Sequence, residues 1–350
     1  MNNKITYNDY FERQLKLIGK QKLLKLKNSK VLVVGAGGLG SNVSHQLANN
    51  GVGTVGIMDG DVILLSNLHR QKNYCIQDLN NKKTTTLTLS ITKNNPYVKI
   101  NDYPFYLLDN RETSLFNLYD IIIDCTDNQD TKFLINDLCE YYKKPLIFGA
   151  IQKTEGQVSV LNFNNGPSLR CAFPNNTQRT NISCEELGTM DIITSTVASK
   201  QVVECLNIIT ENKSNLDGKL LHIDVFNHET NIFKINKTSP FNTFKPTNNS
   251  IKKTFISASD FNSALLTKEY LLIDLRSPKE TPKIEYVNLK NITIDDLKPQ
   301  IRNESLDKKI IVFCQSGIRS SKALQLLTEL GYKNVVHLEG GVNALEKNNL

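Results

Sequence analysis

The sequence predicts an α/β protein of two domains, the first a mostly parallel sheet with an antiparallel extension and helices on both faces, the second a smaller α/β unit. Three observations predict it. Short apolar runs alternate with helix-spaced segments from Val31 to Phe148, the signature of a parallel sheet with helical crossovers. From Gly156 to Phe163 the pattern changes to period two, which reads as an antiparallel addition. After a polar, aperiodic stretch from Thr238 to Lys253, strand and helix patterns resume. A length of 350 residues fits two domains with ample cores.

In chain order, Tyr10 to Lys27 carries apolar residues at mostly helical spacing, broken by Gly19, and reads as two short helices. The apolar run Val31 to Val34 is a strand that meets Gly35-Ala36-Gly37-Gly38-Leu39-Gly40 and passes into a helix, Asn42 to Asn49. A second strand, Val55 to Met58, ends at Asp59. A helix from Lys82 to Lys93 follows, threonine-rich and therefore poor in intrinsic propensity. Val98 to Ile100 is strand-like, and a mixed segment runs to Asp120. Strand Ile121 to Ile123, helix Thr131 to Tyr142 and strand Pro145 to Phe148 continue the alternation. Pro174 to Thr189 is polar and aperiodic, hence a loop. Ile192 to Thr210 is helical, and Lys219 to Lys237 gives two strands. In the second domain Ser259 and Asp260 cap a helix, Tyr270 to Leu275 and Lys309 to Phe313 are strands, and Ser321 to Leu330 is a helix. The expected boundaries are 1–237, a linker at 238–253, and 254–350.

The turn after the first strand is where a ligand belongs. Its glycines let the backbone approach an anion closely, and the free N–H groups of the first helical turn point at it. Asp59 stands at the sheet edge, where a ribose hydroxyl needs an acceptor. A Gly-x-Gly-x-x-Gly turn also suits a dinucleotide, whose pyrophosphate needs few cations. Beyond Asp59, however, come Arg70 within Ser66-Asn67-Leu68-His69-Arg70-Gln71, then Lys83, then Asp127 within Asp124-Cys125-Thr126-Asp127-Asn128. Two cations and a carboxylate that can hold magnesium are what a triphosphate requires.

Composition narrows the class. Hydrophobic residues at 39% and charged residues at 22% describe a globular protein. There is no apolar run of ~18 residues for a membrane span and no apolar leader at the start, so the cytoplasm is expected. Seven cysteines, an odd number spread through the chain, read as reduced thiols. The net charge of +7 comes from scattered lysines without a nucleic-acid motif; no nucleic-acid or membrane partner is expected, and an acidic protein partner is compatible.

Taken together in this order and spacing, GAGGLG, Asp59, SNLHRQ, Lys83 and DCTDN resemble the adenylyltransferases that activate ubiquitin-like sulfur carrier proteins, the family of molybdopterin-synthase adenylyltransferase and its thiamine-pathway relatives. The resemblance runs from about Tyr10 to about Lys237. It implies a Rossmann-like fold, ATP with Mg2+, a homodimer, and a carrier with a Gly-Gly C-terminus as substrate. It also implies that Gly38, Ser66, Asn67, Leu68, His69 and Asn128 line the nucleotide. Asp59 and Asn67 fix the nucleoside end, Asp127 holds magnesium, and Arg70 and Lys83 face the phosphates. Arg13, in Glu12-Arg13-Gln14, matches an arginine that reaches the triphosphate of the neighbouring subunit. Cys184 aligns with a reactive cysteine in a mobile crossing loop. Many relatives carry two C-x-x-C pairs that hold zinc, but here Ser168 replaces the first thiol and 231–249 contains no cysteine. No structural zinc is therefore expected, and Cys171 reads as a small buried residue.

In the second domain, Cys314-Gln315-Ser316-Gly317-Ile318-Arg319-Ser320 joins a strand to a helix. Backbone N–H groups, a helix N-terminus and a guanidinium around the thiol favour a nucleophilic sulfur. Four residues separate Cys314 from Arg319, a tighter loop than the five of tyrosine phosphatases. With Asp274-Leu275-Arg276 and Gly340-Gly341-Val342 it resembles rhodanese, from about Phe255 to Leu350. The usual Gly-His-Ile stretch is replaced by the shorter SPKETPKIEYVNLKNI, and Leu345 stands where an aromatic residue is common. The resemblance implies a persulfide on Cys314, cradled with Arg319 and loaded by a donor such as a cysteine desulfurase. The resulting expectation is carrier adenylation followed by sulfur transfer, for molybdopterin by analogy with the two-domain family members, with thiamine or tRNA thiolation as alternatives. A dinucleotide oxidoreductase with an attached sulfurtransferase, and a non-catalytic scaffold, are the alternatives.

Overall fold

The computed structural model describes residues 5–107, 113–174, 188–214, 216–238, 255–267, 269–277, 280–294, 296–315, 317–338 and 340–346. The chain divides into two compact units, Met1–Asn248 and Asn249–Leu350.

The first unit is built on an eight-stranded sheet. Five strands run parallel: β1 (Lys30–Val34), β2 (Thr54–Met58), β3 (Lys99–Tyr103), β4 (Ile121–Asp124) and β5 (Leu146–Gln152). β6 (Glu155–Leu161), β7 (Lys219–Asp224) and β8 (Glu229–Lys234) extend it antiparallel, giving the order β3-β2-β1-β4-β5-β6-β7-β8. Strand order reverses between β1 and β4, so the crevice at their carboxyl ends is the natural ligand position.

β1 is apolar from Val31 to Val34 because both faces are covered there. Val31 and Val33 pack into one core with Val43, Leu47, Leu87 and Val197, whereas Leu32 and Val34 pack into another with Phe116, Ile135 and Leu138. The helices that supply these residues include α3 (Gly38–Asn49), α4 (Lys83–Asn94), α5 (Gln129–Tyr142) and the later Asp191–Ile209. Ahead of them lie α1 (Tyr7–Tyr10) and α2 (Glu12–Asn28), the latter broken at Gly19, whose φ is +81°, as the sequence predicted. Helix α4 forms despite its threonines because Leu87 and Ile91 bury one face.

Helix α3 begins four residues earlier than the sequence pattern suggests. Its first turn is the glycine segment itself, which apolar periodicity cannot register.

The second unit carries a parallel five-stranded sheet in the order β11-β10-β12-β13-β9, with β9 (Phe255–Ile256), β10 (Leu271–Asp274), β11 (Leu289–Asn291), β12 (Lys309–Phe313) and β13 (Asn334–Leu338). Side chains again alternate between two cores: Ile310 and Val312 meet Ala323 and Leu327, and Ile311 and Phe313 meet Phe261. Two boundaries differ from the sequence reading. The helix after β9 spans Ala258–Thr267, and Ser257 Oγ accepts the Asp260 N–H at 3.1 Å, so the capping hydroxyl lies two residues before Ser259. The helix after β12 spans Ile318–Glu329, which places Arg319 and Ser320 in its first turn. Among the described residues no helix is long and apolar enough to cross a membrane.

Candidate functional site

The glycine turn at the end of β1 is shaped by close approach. Gly35 has a φ of +99°, and a Cβ there would come within 2.7 Å of the Cys125 carbonyl oxygen. At Gly40 a Cβ would stand 1.8 Å from the Gly35 oxygen, and at Gly38 it would lie 2.9 Å from Thr194 Cγ2 and 3.2 Å from the Arg70 oxygen. Only hydrogen fits at these positions. Asp59, at the end of β2, braces the turn: its Oδ2 accepts the Ala36 N–H at 2.7 Å and its Oδ1 the Asp61 N–H at 2.8 Å. The Tyr74 hydroxyl donates to the Ala36 oxygen at 2.8 Å.

Lys83, the first residue of α4, is only 6% exposed and donates to Asp61 Oδ2 at 2.8 Å. Asp61 also accepts from the Tyr106 hydroxyl. Burial works against charge on Lys83, but Asp59, Asp61 and Asp127 outweigh it and hold the ammonium above the ordinary lysine range. Burial likewise raises the Asp59 carboxyl, with Asp61 adding to the effect and Lys83 opposing it. For Asp61, burial is overcome by Lys83 and Tyr106, and its carboxyl sits below the usual range. The result is a buried cation among carboxylates beside the glycine turn.

The Ser66–Gln71 segment folds on itself. Asn67 is buried, and its Oδ1 accepts the Leu64 N–H at 3.3 Å, while its carbonyl accepts the N–H groups of Arg70 and Gln71. Arg70 is half-buried and donates to the Ser66 carbonyl at 3.0 Å. Ser66 and His69 are exposed, Leu68 is half-buried, and a His69 ring nitrogen lies 3.4 Å from the Thr189 oxygen.

At the end of β4, Asp127 and Asn128 are exposed, and Asn128 Oδ1 caps α5 by accepting the Thr131 N–H at 2.8 Å. Beneath them lies a network that sequence reasoning missed. Buried Asp124 accepts from the Thr126 N–H and hydroxyl through one oxygen and from Lys132 Nζ at 3.0 Å through the other. Lys132 also donates to the Gly149 oxygen at 2.6 Å, and Gln201 Nε2 donates to the Asp124 carbonyl at 2.9 Å. This network fixes the Cys125–Asp127 turn against Gly35. Lys132, Asp61, Tyr106 and Gln201 had no periodic or spacing signal; their partners lie up to 77 residues away.

The structure therefore gathers Gly38, Asp59, Asn67, Arg70, Lys83 and Asp127 around the carboxyl ends of β1, β2 and β4. Arg13 is elsewhere: it is exposed in the first turn of its helix and lines a hollow with Asp9, Gln14 and Asn49. Cys184 lies outside the described residues. Cys171 is half-buried rather than buried, and Ser168 and Thr238 flank it. Its sulfur accepts from the Thr238 hydroxyl at 3.3 Å and N–H at 3.5 Å and lies 3.5 Å from Ser168 Oγ. Burial raises this thiol, but those hydrogen bonds outweigh it and lower it. Among the described residues, hydroxyls and no second thiol flank Cys171.

In the second unit Cys314 is fully buried at the end of β12. Its sulfur accepts the Gly317 N–H at 3.1 Å and faces Ser320 Oγ at 3.6 Å, and Ser320 donates to the Gly317 oxygen at 3.0 Å. Gly317, with φ of +91°, makes the reversal possible. A Cβ at Gly341 would fall 2.4 Å from the Cys314 oxygen, so the Gly340-Gly341 turn is packed directly beneath the loop. Arg276 forks onto Asp274, with Nε to Oδ1 at 2.9 Å and Nη2 to Oδ2 at 2.8 Å, and reaches Gln315 Oε1 at 3.4 Å. Arg319 pairs with Glu280 and donates to the Leu275 oxygen at 3.1 Å.

A family model for the ThiF family matches residues 11–243, and one for the rhodanese-like domain matches residues 257–348. The chain is 30% identical over 371 residues to an "Adenylyltransferase and sulfurtransferase MOCS3" of Drosophila virilis, covering 95% of this chain and 82% of that relative. It is 32% identical over 360 residues to the "Adenylyltransferase and sulfurtransferase UBA4" of Candida albicans, covering 91% and 82%. A crystal structure of E. coli MccB with ATP superposes with a TM-score of 0.57 at 17% identity, covering 68% of this chain and 73% of that one, which is a likeness of fold.

Proposed function

The chain belongs to the ThiF family and carries a rhodanese-like domain, and on that premise we propose that it adenylates the C-terminal glycine of a small ubiquitin-like sulfur carrier and then sulfurates it. It is an adenylyltransferase with a sulfurtransferase domain, as the two relatives compared above are named. We assign the thiocarboxylate to molybdopterin synthesis; a tRNA-thiolation carrier would undergo the same chemistry.

A carboxylate is inert toward thiols because its leaving group would be oxide. In the first step its oxygen attacks the α-phosphorus of ATP, the bond to the β-phosphate breaks, and pyrophosphate leaves with the electron pair. Lys83 and Arg70 offset the charge on the departing pyrophosphate, with Arg13 supplied by a second copy of the chain in a homodimer. Asp59 and Asn67 fix the nucleoside, with Gly38, Ser66, Leu68, His69 and Asn128 lining it. The exposed carboxylate of Asp127 suits a hard cation and would hold magnesium, which when bound neutralises phosphate oxygens. Sulfur chemistry follows. The terminal sulfur of a Cys314 persulfide attacks the acyl carbon, AMP leaves, and an acyl disulfide results. Arg319 belongs to the loop that carries this sulfur. The Cys184 thiolate attacks the Cys314 sulfur and releases the thiocarboxylate; the Cys184–Cys314 disulfide so formed is then reduced by an external thiol. A cysteine desulfurase in the cytoplasm is the proposed persulfide donor, and no zinc takes part.

The observation that carries the adenylation is the buried, charged Lys83 beside the glycine turn, which a dinucleotide enzyme would not need. Pyrophosphate exchange by the purified chain with a Gly-Gly-ended carrier tests it. Carrier-dependent exchange is expected; absence of exchange, or tighter binding of NAD than of ATP with magnesium, would overturn it.

A further inference from the structure

The cation of the sulfur loop is already engaged. Arg319 Nη1 donates to Glu280 Oε2 at 3.0 Å and Nη2 donates to Oε1, a two-point fork that fixes the guanidinium plane. The other arginine at the loop, Arg276, is buried against Asp274. Among the described residues, each arginine at Cys314 thus has its own carboxylate. The Cys314 sulfur accepts the Gly317 N–H, and the guanidinium it also meets is that of Arg319, whose charge Glu280 offsets. The Arg319 guanidinium holds Glu280 well below the usual carboxylate range, down to about 2, so the carboxylate stays ionised near neutrality.

We propose that Glu280 sets which sulfur donor Cys314 accepts, neutralising Arg319 so that small dianionic donors such as thiosulfate are turned away in favour of a protein-borne persulfide. The inference rests on the reading of Cys314 as the persulfide carrier. With thiosulfate, the Cys314 thiolate attacks the outer sulfur, a new S–S bond forms, and sulfite leaves with the electrons of the broken bond. Donor and leaving group are both dianions and need an uncompensated cation throughout. With a persulfide, the same attack on the terminal sulfur expels a monoanionic thiolate, for which the Gly317 N–H and a charge-compensated guanidinium suffice. Glu280 is therefore a specificity-determining residue, acting through Arg319.

The test uses the full chain and its Glu280→Gln variant, which keeps the side-chain shape and removes the charge. Sulfur loading of Cys314 is read by intact mass, from thiosulfate and from a cysteine desulfurase with cysteine; thiosulfate turnover is read with cyanide as acceptor. The expected result is a rise of at least about tenfold in kcat/KM for thiosulfate, with desulfurase loading changed by less than about threefold. Adding Arg319→Gln should return thiosulfate turnover to the wild-type level. No gain with thiosulfate in a variant that desulfurase still loads would overturn the role of Glu280 and leave the persulfide reading standing. If no donor loads Cys314 in the wild-type chain, the persulfide reading itself fails, and this inference with it.

Discussion

Replacing Lys83 with Met separates a catalytic cation from a structural one. The side chain is 7% exposed and its ammonium lies 2.8 Å from Asp61, whose side chain is 38% exposed. Breaking a fully buried pair costs about 3–5 kcal/mol. Asp61 keeps contact with water and with the Tyr106 hydroxyl, so screening reduces the loss here to about 1–2 kcal/mol. That is a modest fraction of the stability of a folded unit. If Lys83 faces the triphosphate, its removal costs roughly 10²–10³ in rate, about 3–4 kcal/mol of transition-state stabilisation. The catalytic loss exceeds the structural one, so Lys83→Met should purify as a folded chain that has lost carrier-dependent pyrophosphate exchange. Asp61→Asn serves as the control. It removes the same ion pair while leaving the ammonium in place, and exchange should fall by no more than about threefold, within the small effect of a screened pair. Exchange by Lys83→Met within about threefold of wild type would refute the reasoning and reduce Lys83 to a structural partner of Asp61.

Cys314→Ala should leave pyrophosphate exchange intact and abolish thiocarboxylate formation, as read by carrier mass; equal loss of both would contradict the division of labour between the units. Lys132→Met strands Asp124, which is completely buried, and should destabilise the first unit by about 3–5 kcal/mol in urea unfolding. A loss below about 1 kcal/mol would show that Asp124 relaxes to another donor. Acid should weaken the second unit through Glu280. Because its folded value is depressed to about 2, its stabilisation is present above the ordinary glutamate range near 4.5 and is lost as pH falls toward 2. The pair is partly exposed, so the contribution is at most about 1 kcal/mol. Thermal melts between pH 5 and 2 should show a wild-type drop that Glu280→Gln lacks.

Much of the fold could be read locally. Val31 to Val34, Ile121 to Ile123 and Lys309 to Phe313 are strands at their expected places, and Gly19 breaks its helix where expected. The errors cluster at helix starts. At Gly38 the first turn is glycine-rich and at Ile318 it carries Arg319 and Ser320, so apolar spacing begins only later, and at Ser257 the capping hydroxyl precedes Ser259 and Asp260. Cys171 is half-buried where a buried thiol is expected, and the Thr238 hydroxyl bonded to it lies 67 residues on, beyond any local signal.

The order of glycines, acids and cations in the first unit, and the Cys314 to Arg319 spacing in the second, are properties of the chain itself, and they specify a nucleotide turn and a sulfur loop because short-range geometry follows from residue type. Which charges neutralise which was decided only on folding. Lys83 meets Asp61, 22 residues away, and Arg319 meets Glu280, 39 residues away, because the fold returns those segments to the carboxyl ends of strands; Lys132 meets Asp124, eight residues away, because the turn after β4 folds its helix back over the strand end. An ion pair depends on distance in space, and separation along the chain carries no record of it.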